Sequence, residues 1–130
     1  MRKPRLVLLY TRDRNFDRVL VEALFGTDAI VLIARSVGDA LQTISSRGRE
    51  LDFAILDLND GCRGMTLLSA VHTCLEQLPI LVTTSEDAAH ANAVAYANGA
   101  RVCLNKPLSV PLLANAISNV IPPDPLLVAA

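Results

Sequence analysis

Five short apolar runs at nearly even spacing restrict the fold of this chain more than any other feature of its sequence. Their first residues lie 24, 23, 27 and 22 positions apart, which is close to the length of one strand followed by one helix. The runs cover residues 6–10, 30–34, 53–56, 80–82 and 102–104. Apolar residues are nearly continuous within each run, as is typical of strands buried on both faces of a parallel sheet. We therefore expect five parallel strands.

Between the runs, the apolar residues recur with the period of a helix. The first interval carries one apolar stripe at spacings of three and four residues, formed by Phe16, Val19, Leu20, Ala23 and Leu24. The fourth interval is rich in alanine and ends at Gly99, a suitable helix C-cap, and the fifth begins with Ser109 as N-cap. The alternation predicts an α/β fold, a flavodoxin-like doubly wound sheet of five parallel strands in the order 2-1-3-4-5 with five helices.

The length and composition of the chain indicate a single domain with a net charge close to zero. The chain has 130 residues and a net charge of −1, so nothing attracts it to nucleic acid or to an anionic membrane. No apolar stretch reaches the roughly 18–20 residues of a membrane span. The three cysteines match no metal-binding or redox spacing, which favours reduced thiols and a cytoplasmic location. Prolines at 122, 123 and 125 divide a domain at 1–121 from a tail or linker at 122–130.

Polar residues follow three of the predicted strands directly. Asp57 ends the third run, Thr84 follows the fourth and Lys106 follows the fifth. Because the carboxyl ends of parallel strands share one edge of the sheet, a carboxylate, a hydroxyl and an ammonium group are expected to meet there. Taken singly, Asp57 could equally be a helix cap and Lys106 a solvated surface residue.

Four motifs in the same order give the chain a resemblance to the receiver domains of two-component response regulators. They are Asp-Phe-Ala-Ile-Leu-Asp-Leu-Asn at 52–59, Leu-Pro-Ile at 78–80 leading to Thr84, Gly-Ala at 99–100 and Leu-Asn-Lys-Pro at 104–107. The resemblance covers residues 6 to about 121. It implies that Asp57 is the phosphoryl acceptor, that Thr84 and Lys106 contact the phosphoryl group, and that the Lys106–Pro107 bond is cis.

The metal site implied by the resemblance is incomplete in this sequence. Asp57 and the backbone carbonyl of Asn59 would be ligands, but the two acidic residues usual at the end of the first strand are replaced by Tyr10 and Thr11. Mg²⁺ prefers carboxylate oxygens, so a phenol and a hydroxyl are poor replacements. Arg12 would repel the metal ion, whereas Lys106, and Arg12 as well, could supply a counter-charge for Asp57. We expect no resident cofactor, with Mg²⁺ bound only if the domain is phosphorylated.

These departures favour a degenerate receiver domain (a pseudo-receiver) over an ordinary one. In this interpretation the chain is not an enzyme but a protein-binding module with poor or absent Mg²⁺-dependent phosphorylation. One alternative is an ordinary phospho-switch that accepts a phosphoryl group at Asp57 from a histidine kinase. An alternative of another class is a flavodoxin-like small-molecule binder.

The expected partner is a signalling protein, such as a histidine kinase or an effector, and neither nucleic acid nor a membrane. A homodimer is also expected through the fourth helix, fifth strand and fifth helix. Small residues in those helices, Ala91, Ala95 and Ala116, over Val102 and Cys103, would allow close packing. The sequence names neither the pathway nor the kinase.

Overall fold

A computed structural model gives the structure of the chain and describes residues 4–58, 62–84 and 88–120. In these ranges five strands form one parallel sheet in the order β2-β1-β3-β4-β5. The strands are β1 (Arg5–Tyr10), β2 (Ala29–Ala34), β3 (Phe53–Asp57), β4 (Ile80–Thr84) and β5 (Val102–Asn105). The predicted sheet and strand order are confirmed. Each strand is longer than its apolar run by one or two residues, because residues next to the run also join the ladder, and these are polar in every strand but β2.

Five helices connect the strands, as the sequence predicts. They are α1 (Arg14–Ala23), α2 (Val37–Arg47), α3 (Cys62–Cys74), α4 (Ala88–Ala97) and α5 (Val110–Val120). The first turns of α1, α2 and α5 are capped by side-chain oxygens, which satisfy backbone N–H groups that have no partner within a helix. Asp13 caps α1, Ser36 caps α2, and Ser109 accepts from the N–H of Leu112 at the start of α5. A short 3₁₀ turn, Gly48–Glu50, precedes β3.

The core has two parts, one on each face of the sheet. On one face, α1 and α5 pack against alternate residues of the central strands, among them Val7, Leu9 and Ile55. On the other, α2, α3 and α4 pack against the residues between them, such as Leu8 and Leu56. The central strands β1, β3 and β4 are almost entirely buried, so their near-continuous apolar composition follows from burial on both faces.

Two residues expected on an open face of the fourth and fifth helices belong to the core instead. Ala95 in α4 and Ala116 in α5 are buried, while Ala91 is only partly buried. Their small size therefore lets the helices lie close to the sheet. The predicted tail at 122–130 lies outside the described residues. No helix in the described ranges is long and apolar enough to cross a membrane.

Candidate functional site

The carboxyl ends of β1, β3, β4 and β5 meet at one edge of the sheet, as parallel pairing requires. In the register of the sheet, Asp57 lies beside Thr83, and Thr84 lies beside Asn105. Lys106 follows β5 directly, and its N–H donates to the carbonyl of Thr84 at 2.8 Å. The sheet thus places one carboxylate, two hydroxyls and one ammonium group at the same edge.

Three donors surround the carboxylate of Asp57, whose side chain is 2% exposed. Thr11 Oγ1 donates to Oδ2 at 2.6 Å and Lys106 Nζ to the same oxygen at 2.9 Å. Thr83 Oγ1 donates to Oδ1 at 3.2 Å. A buried carboxylate is costly unless it is paired and hydrogen-bonded. Both oxygens of Asp57 meet that requirement within the chain.

The ammonium group of Lys106 lies between two carboxylates. Its Nζ is 2.9 Å from Asp57 Oδ2 and 3.2 Å from Asp13 Oδ2, and its side chain is 14% exposed. The ring of Phe16 lies beneath it, with the ring centroid 4.9 Å from Nζ, a distance at which a cation is attracted by the ring face. The Lys106–Pro107 peptide bond is cis. The lysine is therefore held by two negative groups and one aromatic ring.

Thr11 connects Asp57 to the start of α1. Its hydroxyl donates to Asp57 and accepts from the N–H of Asp13 at 3.0 Å, so the direction of the hydroxyl proton is fixed. Asp13 in turn accepts from the N–H of Asn15 at 2.9 Å as the cap of the helix. The cap of α1 and the pocket around Asp57 are consequently one hydrogen-bonded unit.

The carboxyl group of Asp13 has a lowered pKa. Partial burial on its own would raise the pKa, but the hydrogen bond from Lys106 and the bond from the backbone of Asn15 outweigh it. Asp13 is therefore ionised at neutral pH and shares the positive charge of Lys106 with Asp57.

Sequence reasoning named some of these residues and missed others. Asp57 and Lys106 come together as expected, but the hydroxyl bonded to Asp57 across the strand pair is that of Thr83. Thr84 is buried beside it and bonds Lys106 through its backbone carbonyl. Arg12, expected as a possible counter-charge, is exposed and makes no ion pair with Asp57 in the described part of the chain. Asn59 lies outside the described residues.

Asp13 and Phe16 were also missed as partners of Lys106. A signal for Asp13 was present in the sequence, because an aspartate directly before an amphipathic stripe is a common helix cap at this edge. Nothing in the sequence distinguishes Phe16 from the other core residues of α1.

The described residues of this pocket do not fit a Mg²⁺ ion, and Asn59, an expected ligand, lies outside them. Tyr10, at the place of one expected acid, is buried in the core beneath α2 and α3. Thr11, at the place of the other expected acid, donates its hydroxyl proton to Asp57. The ammonium group of Lys106 occupies the space between the carboxylates of Asp57 and Asp13. Within the described ranges no group of three or more His, Cys, Asp or Glu residues could hold a metal. Mg²⁺ requires several oxygen ligands in octahedral geometry, which this set does not supply.

Comparison with known proteins gives clear structural relatives. No protein-family model matches the sequence, and no curated protein matches it. A putative response regulator from Chloroflexus aurantiacus is 29% identical with a TM-score of 0.80, covering 91% of this chain and 98% of that chain. The chemotaxis protein CheY4 from Vibrio cholerae is 22% identical with a TM-score of 0.79, covering 92% and 100%. A response regulator from Thermotoga maritima is 16% identical with a TM-score of 0.81, covering 92% and 98%. The last two likenesses establish the fold alone.

Proposed function

The chain has the fold of the receiver domains of response regulators, and we propose that it works as a protein-binding module in which Asp57 accepts a phosphoryl group poorly or not at all. The cellular setting that fits this proposal is the cytoplasm. The partner is a signalling protein, such as a histidine kinase or an effector, and the domain itself performs no catalysis.

The position of Lys106 is the observation that carries this proposal. Its ammonium group bridges Asp57 and Asp13 at 2.9 and 3.2 Å, where a second cation would be repelled. A phosphoryl group on Asp57 would carry nearly two negative charges at neutral pH in place of the single charge of the carboxylate. In the described part of the chain, Lys106 is the cation in contact with Asp57, and Asp13 already takes part of its charge. The phosphorylated form is therefore poorly compensated.

The hydrogen bonds of Asp57 support a domain held in one conformation. A receiver that switches needs two states whose energies depend on the phosphoryl group. Here the ionised carboxylate is itself bonded to Thr11, Thr83 and Lys106. Those bonds stabilise the unmodified state. Partner proteins would therefore bind the surface of the unmodified domain, without a change of conformation.

The surface proposed for the partner protein consists of the outer sides of α4, β5 and α5. With Ala95 and Ala116 buried, the exposed apolar residues of this surface are Tyr96 and Leu112. Tyr96 extends over β5, and its hydroxyl oxygen accepts from the N–H of Cys103 at 3.2 Å. An aromatic ring is thus present beside Cys103, the position that in the family usually carries the aromatic residue, although it comes from α4.

An ordinary phospho-switch remains the second candidate, because one observation favours it. Asp57 and Lys106 are in contact at 2.9 Å, with Thr84 at the adjacent strand end. The same three residue types are the ones that the family uses for phosphoryl transfer.

Calorimetric titration with Mg²⁺ tests the metal part of the proposal. The wild-type chain should give no saturable heat at millimolar Mg²⁺. The double variant Thr11→Asp, Lys106→Met supplies a carboxylate and removes the bridging ammonium group, so it should gain a measurable Mg²⁺ site if it stays folded by circular dichroism. Saturable binding by the wild type would contradict the proposal.

A further inference from the structure

Strand β2 forms one edge of the sheet, and half of its backbone groups point away from β1. The carbonyls of Asp28 and Ala34 accept from the N–H groups of Arg5 and Thr11, which belong to the first strand and the residue after it. Since successive residues of a strand point their N–H and C=O groups to opposite sides, those of residues 29, 31 and 33 point outward. They form a regular row of three donors and three acceptors.

Nothing in the sequence of β2 protects this edge from pairing. Natural edge strands usually carry lysine, proline or a bulge that prevents another strand from adding to them. The six residues of β2 read Ala-Ile-Val-Leu-Ile-Ala and pair with β1 without interruption. The opposite edge differs, because the hydroxyl of Tyr96 accepts from an N–H of β5.

Exposed apolar side chains concentrate at the same edge. Seven large apolar residues are exposed in the described ranges, and five of them lie on β2, on the helices before and after it, or in the turn that leads into it. Those five are Val21, Phe25, Ile30, Ile33 and Leu41. Ile30 and Ile33 lie on opposite faces of the strand, so exposed apolar surface is present on both sides of this edge. We call these five residues, with the outward edge of β2, the β2 surface.

We propose that the β2 surface is the interface with a second copy of this chain, joined by antiparallel pairing of the two β2 strands across a two-fold axis near Val31. The two five-stranded sheets then become one sheet of ten strands. In this register the outward groups of Val31 meet their own copies, and those of Ala29 meet Ile33 of the second copy. Such pairs exchange both of their hydrogen bonds in an antiparallel ladder. Two-fold symmetry also gives each copy the same contacts.

The charges at the two ends of β2 favour a second copy in this direction. Asp28 precedes the strand and Arg35 follows it, so antiparallel pairing brings an acidic residue of each copy near a basic residue of the other. The side chain of Asp28 is exposed and makes no ion pair in the described part of the chain. Arg35 already bonds Asp17, but its side chain is 40% exposed and its guanidinium has five N–H donors. Parallel pairing would place like charges together.

The position of Phe25 favours the same arrangement. Its side chain is 89% exposed, although it follows a helix whose other face is in the core. It lies in the turn between α1 and β2, at the end of the strand where Ala29 would be opposite Ile33 of the second copy. An exposed aromatic ring at that end of β2 is available for contact with the second copy.

The test is the oligomeric state of the full chain over a range of concentrations, measured by sedimentation velocity. The wild type should form a dimer that dissociates on dilution. Ile33→Lys should be monomeric at the same concentrations, and Asp28→Lys should raise the dissociation constant several-fold. Leu112→Lys is the matched control, since Leu112 is equally exposed (46% against 47%) but lies on α5. It should dimerise like the wild type.

Hydrogen exchange at the amides of residues 29, 31 and 33 identifies the interface directly. Their exchange should slow as the dimer forms and stay fast in Ile33→Lys, while the central strands of that variant remain protected and show that it is folded. A wild type that stays monomeric would overturn the proposal. A dimer that is dissociated by Leu112→Lys but not by Ile33→Lys would also overturn it, because the interface would then be at α4, β5 and α5. Neither result depends on whether Asp57 is phosphorylated.

Discussion

At the scale of single residues, the carboxylate of Asp57 is surrounded by an ammonium group and two hydroxyls. Burying a charged pair stabilises a protein only when each member has further partners. Asp57 has those partners in Thr11 and Thr83, and Lys106 has them in Asp13 and Phe16. Removing one of these residues should therefore affect the others.

Thr11→Val should lower the free energy of unfolding by about 2 kcal/mol. The substitution keeps the shape of the side chain but removes a hydrogen bond to a buried carboxylate, and bonds to charged groups are the stronger ones. Urea unfolding measures the change. Thr73→Val is the control, because the hydroxyl of Thr73 bonds only the carbonyl of Ser69 on an exposed part of α3, so its loss should change stability by less than about 0.5 kcal/mol. Equal effects in both variants would contradict a special role for Thr11.

Lys106→Met should destabilise the chain by about 3 to 5 kcal/mol, because Asp57 would then be a buried charge without a counter-charge. Adding Asp57→Asn to that variant should restore a large part of the loss, since the charge itself is gone. A double-mutant cycle from urea unfolding measures this coupling. Arg101→Met, at an exposed residue near the opposite end of the sheet, is the control for removing a positive charge. Additive effects of Lys106→Met and Asp57→Asn would show that the two groups are not coupled.

The lowered pKa of Asp13 predicts a component of acid sensitivity. The folded chain holds the proton of Asp13 less tightly than the unfolded chain, so its ion pair stabilises the fold above the unfolded pKa of about 3.9. That stabilisation is lost as the pH falls through the lower, folded value. The urea midpoint of Asp13→Asn should therefore decrease less than that of the wild type between about pH 6 and pH 2. Glu76→Gln, at an exposed residue between α3 and β4, should follow the wild type, and the prediction is wrong if Asp13→Asn does so too.

At the scale of helices and strands, the sequence predicts the positions of the elements well, but for some elements it does not predict which face is buried. Continuous apolar runs indicated β1, β3 and β4 because both of their faces are buried. Thr83 was not singled out, because the apolar pattern of β4 does not show which of its two terminal threonines bonds the carboxylate of Asp57. The role of Thr84 as a contact of a phosphoryl group stays a prediction.

The alanine-rich helix α4 shows a second limit of sequence reasoning. Small apolar residues occur all around it, so the helical period marks no single buried face. Ala95 was therefore expected on the surface, although it is in the core. The sequence also does not show that β2 is an edge strand. Its residues are as apolar as those of a central strand, and the position of a strand within the sheet depends on the topology, which the apolar pattern of the strand does not encode.

The turn between α4 and β5 depends on Gly99. Its φ of +112° lies where other residues are strained, and an added Cβ would collide with the side chain of His72 in α3. Gly99→Ala should lower the free energy of unfolding by about 1 to 3 kcal/mol. Adding His72→Ala should recover only a part of this loss, because the Cβ of residue 72 stays 2.7 Å from the added Cβ. In contrast, Gly38→Ala in α2 meets no atom closer than 3.9 Å and should be neutral or slightly stabilising. Thermal unfolding measures all three, and a neutral Gly99→Ala would contradict the packing described.

At the scale of the whole molecule, the sheet order and the helices are those of the receiver domains to which the chain is similar, as the sequence motifs indicated. At the carboxyl edge of the sheet, the ammonium group of Lys106 lies between the carboxylates of Asp57 and Asp13. Our proposal is that this arrangement keeps the domain in one state that other proteins recognise.

The most direct test of that account is intact-mass spectrometry of the wild-type chain after incubation with a small acyl-phosphate donor and Mg²⁺. A receiver domain that retains the acidic pair on its first strand, treated in the same way, verifies the donor. We predict that the wild-type chain gains little or no phosphoryl group under conditions that modify the control. A stoichiometric gain of one phosphoryl group, absent in Asp57→Asn, would contradict the account and establish the chain as an ordinary phospho-switch.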